Sequence, residues 1–140
     1  MTARGAAWEG TLDALHDSYA RRGLAWIARC HPPRRLNRTG PPDYIGCLGG
    51  GRAFAADAKD STTGRQPIVA RHQAIDLGAV EARAGVACLL VRWRGQPLLV
   101  LWADVSADWW ARRAMPILSV GRPFDAAPEG PGWLACVERT

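Results

Sequence analysis

Residues 43–59 read Asp43-Tyr44-Ile45-Gly46-Cys47-Leu48-Gly49-Gly50-Gly51-Arg52-Ala53-Phe54-Ala55-Ala56-Asp57-Ala58-Lys59. Two strand-like runs flank three consecutive glycines, which accept the positive φ that tight hairpin turns require. The stretch predicts strands over residues 43–48 and 52–59, paired antiparallel about Gly50. Positions 43 and 57 are then equidistant from the turn and face each other across the ladder. Residues 57 and 59 point to one face of their strand, because side chains alternate with a period of two. Two carboxylates and an amine thus converge on one patch of a sheet.

Upstream, residues 5–22 carry Trp8, Leu12, Leu15 and Tyr19 at helical spacing, the apolar face of an amphipathic helix. Glu9, Asp13 and His16 form an adjacent polar stripe. Gly23 suits the end of this helix, and residues 24–28 read as a buried strand. His31-Pro32-Pro33 closes the strand and opens a basic loop over residues 31–42. Downstream, residues 60–67 form a polar loop. Residues 68–84 form a second helix, with Val69, His72, Ile75 or Ala79, and Val80 to one side. Residues 86–93 are a strongly apolar strand, and Arg94-Gly95-Gln96-Pro97 turns into another over residues 98–105. Residues 107–115 read as a short helix capped by Ser106. Residues 116–140 are rich in proline and glycine, with a terminal strand at 133–137. This order predicts one α/β domain over residues 1–140, with a mixed central sheet flanked by helices.

With 48% hydrophobic and 22% charged residues, the composition is that of a globular domain. No apolar run approaches the roughly 18 residues of a membrane span, and the lack of a signal-peptide core predicts a cytoplasmic protein. Cys30, Cys47, Cys88 and Cys136 show no CxxC or CxxH spacing, which argues against a zinc site or a disulfide framework. The net charge of +5 is unevenly placed. No acid lies between Asp17 and Asp43, but Arg21, Arg22, Arg29, Arg34, Arg35 and Arg38 do. Arginines beside prolines and the loop Asn37-Arg38-Thr39-Gly40 suit phosphate contact; a solvated basic face has the same composition.

Lys59 is the only lysine, beside seventeen arginines. Arginine serves wherever charge alone is needed, but it does not replace a compact ammonium of tunable pKa. A lysine retained two residues after Asp57 is therefore a candidate for chemistry. Carboxylates as close as Asp43 and Asp57 repel each other unless a hard cation sits between them. Mg2+, with Mn2+ as a substitute, suits such a pair, and the amine beside it would orient or deprotonate a water and stabilise charge on a phosphoryl oxygen. The alternative for the same residues is an Asp–Lys ion pair on an exposed sheet edge.

Pro42-Asp43, thirteen residues, then Asp57-Ala58-Lys59 resembles the PD-(D/E)XK nuclease motif. The wider order resembles the RecU-like Holliday-junction resolvases: Trp8-Glu9 on the first helix, Tyr19 and Gly23, Asp43-Tyr44-Ile45-Gly46, the glycine hairpin, and His72-Gln73 opening a helix. That likeness covers about residues 5–105. It implies a restriction-endonuclease-like fold and a Mg2+-dependent endonuclease that resolves four-way DNA junctions as a homodimer. It also implies that Asp43, Asp57, the backbone carbonyl of Ala58 and Glu9 serve the metal, that Lys59 activates water or stabilises the transition state, and that Gln73 positions the water or Lys59. The family usually has glutamate where this chain has Asp57, and the segment between the first strand and Asp43 is shorter here.

Candidate DNA contacts are Arg29, Arg34, Arg35 and Arg38, with Arg65 and Arg71. Ser61-Thr62-Thr63-Gly64-Arg65 has donors suited to backbone phosphate, or is an ordinary polar loop. His16 reads as an exposed helix histidine, His72 as a DNA contact or a packing residue, and one of Trp109 and Trp110 as core. Two other functions stay open: a restriction- or repair-type nuclease of the same superfamily, and a non-catalytic DNA-binding module on the same fold.

Overall fold

The computed structural model describes residues 3–30 and 40–137. Helix α1 (Ala3–Arg21) leads into strand β1 (Ala25–Arg29). Strands β2 (Tyr44–Leu48) and β3 (Ala53–Ser61) form the glycine hairpin. Helix α2 (Arg71–Ala82), β4 (Val86–Trp93), β5 (Gln96–Leu101) and α3 (Trp102–Arg112) follow. A one-turn helix α4 (Ile117–Val120), a two-residue β6 (Arg122–Pro123) and a one-turn α5 (Leu134–Val137) complete the described chain. The six strands lie in sequence order in one sheet. Only β3 and β4 are parallel, and α2 is the crossover such a pair requires; the other neighbours are antiparallel. The chain is thus α/β, a mixed sheet with helices on both faces. Among the described residues no helix is long and apolar enough to cross a membrane.

The hairpin follows the glycine reading. Gly50 and Gly51 sit at φ 81° and 79°, and the Leu48 N–H donates to the Arg52 carbonyl across the turn. Tyr44 pairs with Ala56 and Cys47 with Ala53, so the register, carried one step further, sets Asp43 opposite Asp57. Alternation along the central strands feeds two cores. Phe54, Ala56, Cys88 and Leu90 face α1, where Trp8, Leu12, Leu15 and Tyr19 are almost wholly buried. At roughly 1.5–3 kcal/mol for each large apolar side chain, these four fix the helix to the sheet. Ala55, Ala87, Leu89 and Val91 face α2 and α3.

Several expectations are corrected. The strand expected over residues 98–105 stops at Leu101, and α3 begins at Trp102. Trp102, Val105 and Trp109 repeat at helical spacing and are buried together, and no glycine or proline separates the two elements. Ser106 lies inside α3 and does not cap it. The terminal strand at 133–137 is instead a turn of helix, whose Cys136 and Val137 N–H groups donate to the Trp133 carbonyl. On α2 the buried residues are Ala74 and Leu77, whereas Ile75 is half exposed. Ala74 and Leu77 pack into the second core, and at 100° per residue Ile75 falls off the face they define. His16 is buried, not exposed: its Nε2 accepts the Trp133 indole N–H at 2.9 Å. Trp109 is core, and Trp110 is the exposed member of its pair.

Candidate active site

Asp43 and Asp57 lock the ends of β2 and β3 reciprocally. The Asp43 N–H donates to Asp57 Oδ1 at 3.1 Å, and the Ala58 N–H donates to Asp43 Oδ2 at 2.9 Å. Each carboxylate therefore takes an amide from the opposite strand, which holds the two acids side by side. Asp57 is 1% exposed, and its Oδ2 is buried with no hydrogen-bond partner. Burial, reinforced by the neighbouring Asp43 charge, raises the Asp57 carboxyl to about 6.

Lys59 lies on the same face of β3 as Asp57. Its Nζ donates to Gln73 Oε1 at 3.0 Å, and the same oxygen accepts the Ala70 N–H at 2.9 Å. Gln73 occupies the third position of α2, so it forms half of a capping box; Ala70 has no hydroxyl with which to return the bond. Gln73 thus ties the amine to the start of a helix. Burial lowers the Lys59 pKa, against the pull of Asp57 and Asp43. Among the described residues Lys59 belongs to no salt bridge. A neutral amide, not a carboxylate, holds the ammonium, which separates this arrangement from a cross-strand ion pair.

Glu9 and Arg29 stand on the other side of the sheet. Arg29 is ion-paired to Glu9 and, at 2.9 Å, to Asp13. Tyr44, directly after Asp43 and pointing to the opposite face, donates its hydroxyl to Asp13 at 2.9 Å. The sequence reading passed over Tyr44 in this role; its place beside Asp43 in an alternating strand is the signal that would have found it. Burial raises the Glu9 pKa, Arg29 opposes this, and the Asp43 charge adds to it. Glu9 is therefore within electrostatic reach of Asp43 while its carboxylate is held by Arg29.

Among the described residues no three acids, histidines or cysteines form a metal-binding group; Asp43 and Asp57 converge as a pair. The pair fits a hard cation on one observation above all, the buried, unpartnered Asp57 Oδ2 beside a second carboxylate. Mg2+ is commonly held by one or two carboxylates with water completing its shell.

Of the proposed DNA contacts, Arg34, Arg35 and Arg38 lie outside the described residues. Arg29 is committed to Glu9 and Asp13, while Arg65 and Arg71 are exposed. Arg71 opens α2 two residues before Gln73, and Arg65 lies in the loop leaving β3. His72 is half buried. Comparison with protein-family models and with curated proteins finds no match for this chain.

Proposed function

We propose that this chain is a Mg2+-dependent DNA endonuclease with the PD-(D/E)XK fold, of the RecU-like branch, acting on four-way junctions. The observation that carries the reading is the Asp43–Asp57 pair with its orphaned buried oxygen, set beside a lysine held by Gln73. Asp43 and Asp57 would hold the ion, with the Ala58 carbonyl. When bound, Mg2+ supplies positive charge for the phosphoryl oxygens and acidifies water.

The protein's own residues do the rest. Gln73 Oε1 fixes the Lys59 amine, and burial favours its neutral form, so Lys59 takes a proton from the attacking water. As the water oxygen bonds to phosphorus, the P–O3′ bond breaks and the 3′ oxygen leaves as a hydroxyl with a proton from solvent water. The Lys59 ammonium stabilises charge on the 5′-phosphate. Glu9, across the sheet and held by Arg29, acts on the site through its charge on Asp43. Paired cuts in strands of like polarity call for two such sites related by a two-fold axis, hence a homodimer.

The test is cleavage of a labelled synthetic four-way junction beside a matched linear duplex, in Mg2+, Ca2+ or EDTA. Paired nicks confined to the junction and dependent on Mg2+ are expected. Equal cutting of both DNAs would reassign the chain to a general or repair-type nuclease. Binding without cutting in any metal would mark a non-catalytic module.

A further inference from the structure

The arginines divide by partner. Among those whose side chains are described, Arg21, Arg22, Arg29, Arg83, Arg92, Arg112, Arg113 and Arg122 each bond to a carboxylate, hydroxyl or carbonyl. Arg52, Arg65, Arg71 and Arg94 have no such bond among the described residues. Arg52 stands at the hairpin end of β3. The other three gather where the parallel strands β3 and β4 end and α2 begins, the end that also holds Lys59.

Arg94 is the least expected of them. Arg94 and Gly95 are the two turn residues between β4 and β5, at φ 48° and 85°. Such a two-residue turn with both φ positive is the place for Asn-Gly or Asp-Gly, and an arginine there sits in backbone that β-carbon-bearing residues adopt reluctantly. The Arg94 N–H donates to the Ser61 carbonyl at 2.8 Å, and Ser61 Oγ donates to the Arg65 carbonyl. Ser61 thus anchors both arginines two residues beyond Lys59. The Arg94 side chain lies across Gly64, where a β-carbon would come within 2.4 Å of Arg94 Nε. Gly64, next to Arg65 in the chain, is therefore the residue that lets this guanidinium lie over the loop.

We infer that Arg94, together with Arg65, is a clamp for a nucleic-acid backbone phosphate next to the one cleaved. The clamp rests on the nuclease reading for the identity of its ligand. Two forked donor groups without acceptors among the described residues, their backbones anchored on one serine beside the catalytic strand, match phosphate oxygens. Such a contact positions the backbone and carries no sequence information.

The test is fluorescence anisotropy of a labelled four-way junction in EDTA, over a range of salt concentrations, with thermal melting in parallel. Arg94→Asn places the preferred Asn-Gly pair in the turn, so melting should hold or rise. Its log K against log salt slope should fall by about 0.9, the counterion release of one phosphate contact, and affinity at 0.1 M salt should fall roughly eightfold. Arg65→Ala should behave alike, the double variant should lose about twice the slope, and Arg52→Ala should change neither. Wild-type slope and affinity in both Arg94→Asn and Arg65→Ala would overturn the clamp and leave the nuclease reading standing. A wild-type chain that binds no junction at all would overturn both.

Discussion

Replacing Asp57 with asparagine should stabilise the protein, and the structure says by how much. Asp57 is buried, its carboxyl is raised from 3.8 to about 6, and the first cause is burial. Its folded pKa exceeds its unfolded one, so the folded state binds more protons between about pH 4 and 6. Stability linked to this group therefore rises as pH falls through that window. At pH 7 the ionised carboxylate opposes folding by roughly two pKa units, about 3 kcal/mol. Asparagine keeps an Oδ1 to accept the Asp43 N–H, and the Ala58 N–H still donates to Asp43, so the hairpin bonds survive. The expected outcome at pH 7 in EDTA is a melting temperature up to roughly 10 °C above wild type for a domain of this size. At pH 4 the gain should vanish, because the wild-type carboxyl is then protonated. Excess Mg2+ should raise the melting temperature of the wild type and not of the variant, since the proposed metal site needs both carboxylates of the folded pair. Circular dichroism melts at two pH values, with and without Mg2+, make the measurement. An Asp57→Asn protein that melts lower than wild type at pH 7 would refute the reasoning. It would mean that the carboxylate is held by compensating charge and serves the fold.

Three further outcomes are expected. His16, lowered by burial from 6.5 to about 4, acts in the opposite sense to Asp57. Its contribution is present above pH 6.5 and lost as pH falls toward 4, about 2–3 kcal/mol by pH 4.5. In the wild type the two largely cancel, so urea titrations at pH 7 and 4.5 should show the acid loss in Asp57→Asn and not in Asp57→Asn/His16→Gln; equal acid sensitivity in both would exclude His16. Lys59→Arg should lower single-turnover junction cleavage by about 100-fold or more while leaving binding within a few-fold, because arginine does not release its proton; near-normal cleavage would remove Lys59 from the chemistry. Gln73→Glu keeps an acceptor for Ala70 but sets a charge against the amine. The limb of the pH–rate profile that reports Lys59 deprotonation should move to higher pH, whereas a merely structural glutamine would lower the rate at every pH without moving it.

Much of the candidate site is legible in the chain because it is local. Thirteen residues separate Asp43 from Asp57, and a glycine turn at their midpoint is enough to set the register. Alternation then brings Lys59 to the same face, and the apolar run Val86–Trp93 is recognisable as a buried strand for the same reason. The boundary between β5 and α3 was not legible, since Leu98 to Val105 is apolar under either period and only packing against α2 selects helix from Trp102 onward. Arg29 likewise reads as a free cation in a basic stretch, until the fold brings Glu9 and Asp13 to it from α1.

The sequence by itself determined the α/β order, the hairpin register and the convergence of Asp43, Asp57 and Lys59, because turn chemistry and strand periodicity act over a few residues. Tertiary structure alone decided which polar groups lie buried and what they meet. The imidazole of His16 is out of water because Trp133, 117 positions away, closes over it. The Lys59 pKa is lowered because the surrounding chain removes solvent from the amine, while α2 brings Gln73 to hold it in place. Burial and pKa are properties of neighbours, and these neighbours come from distant parts of the chain.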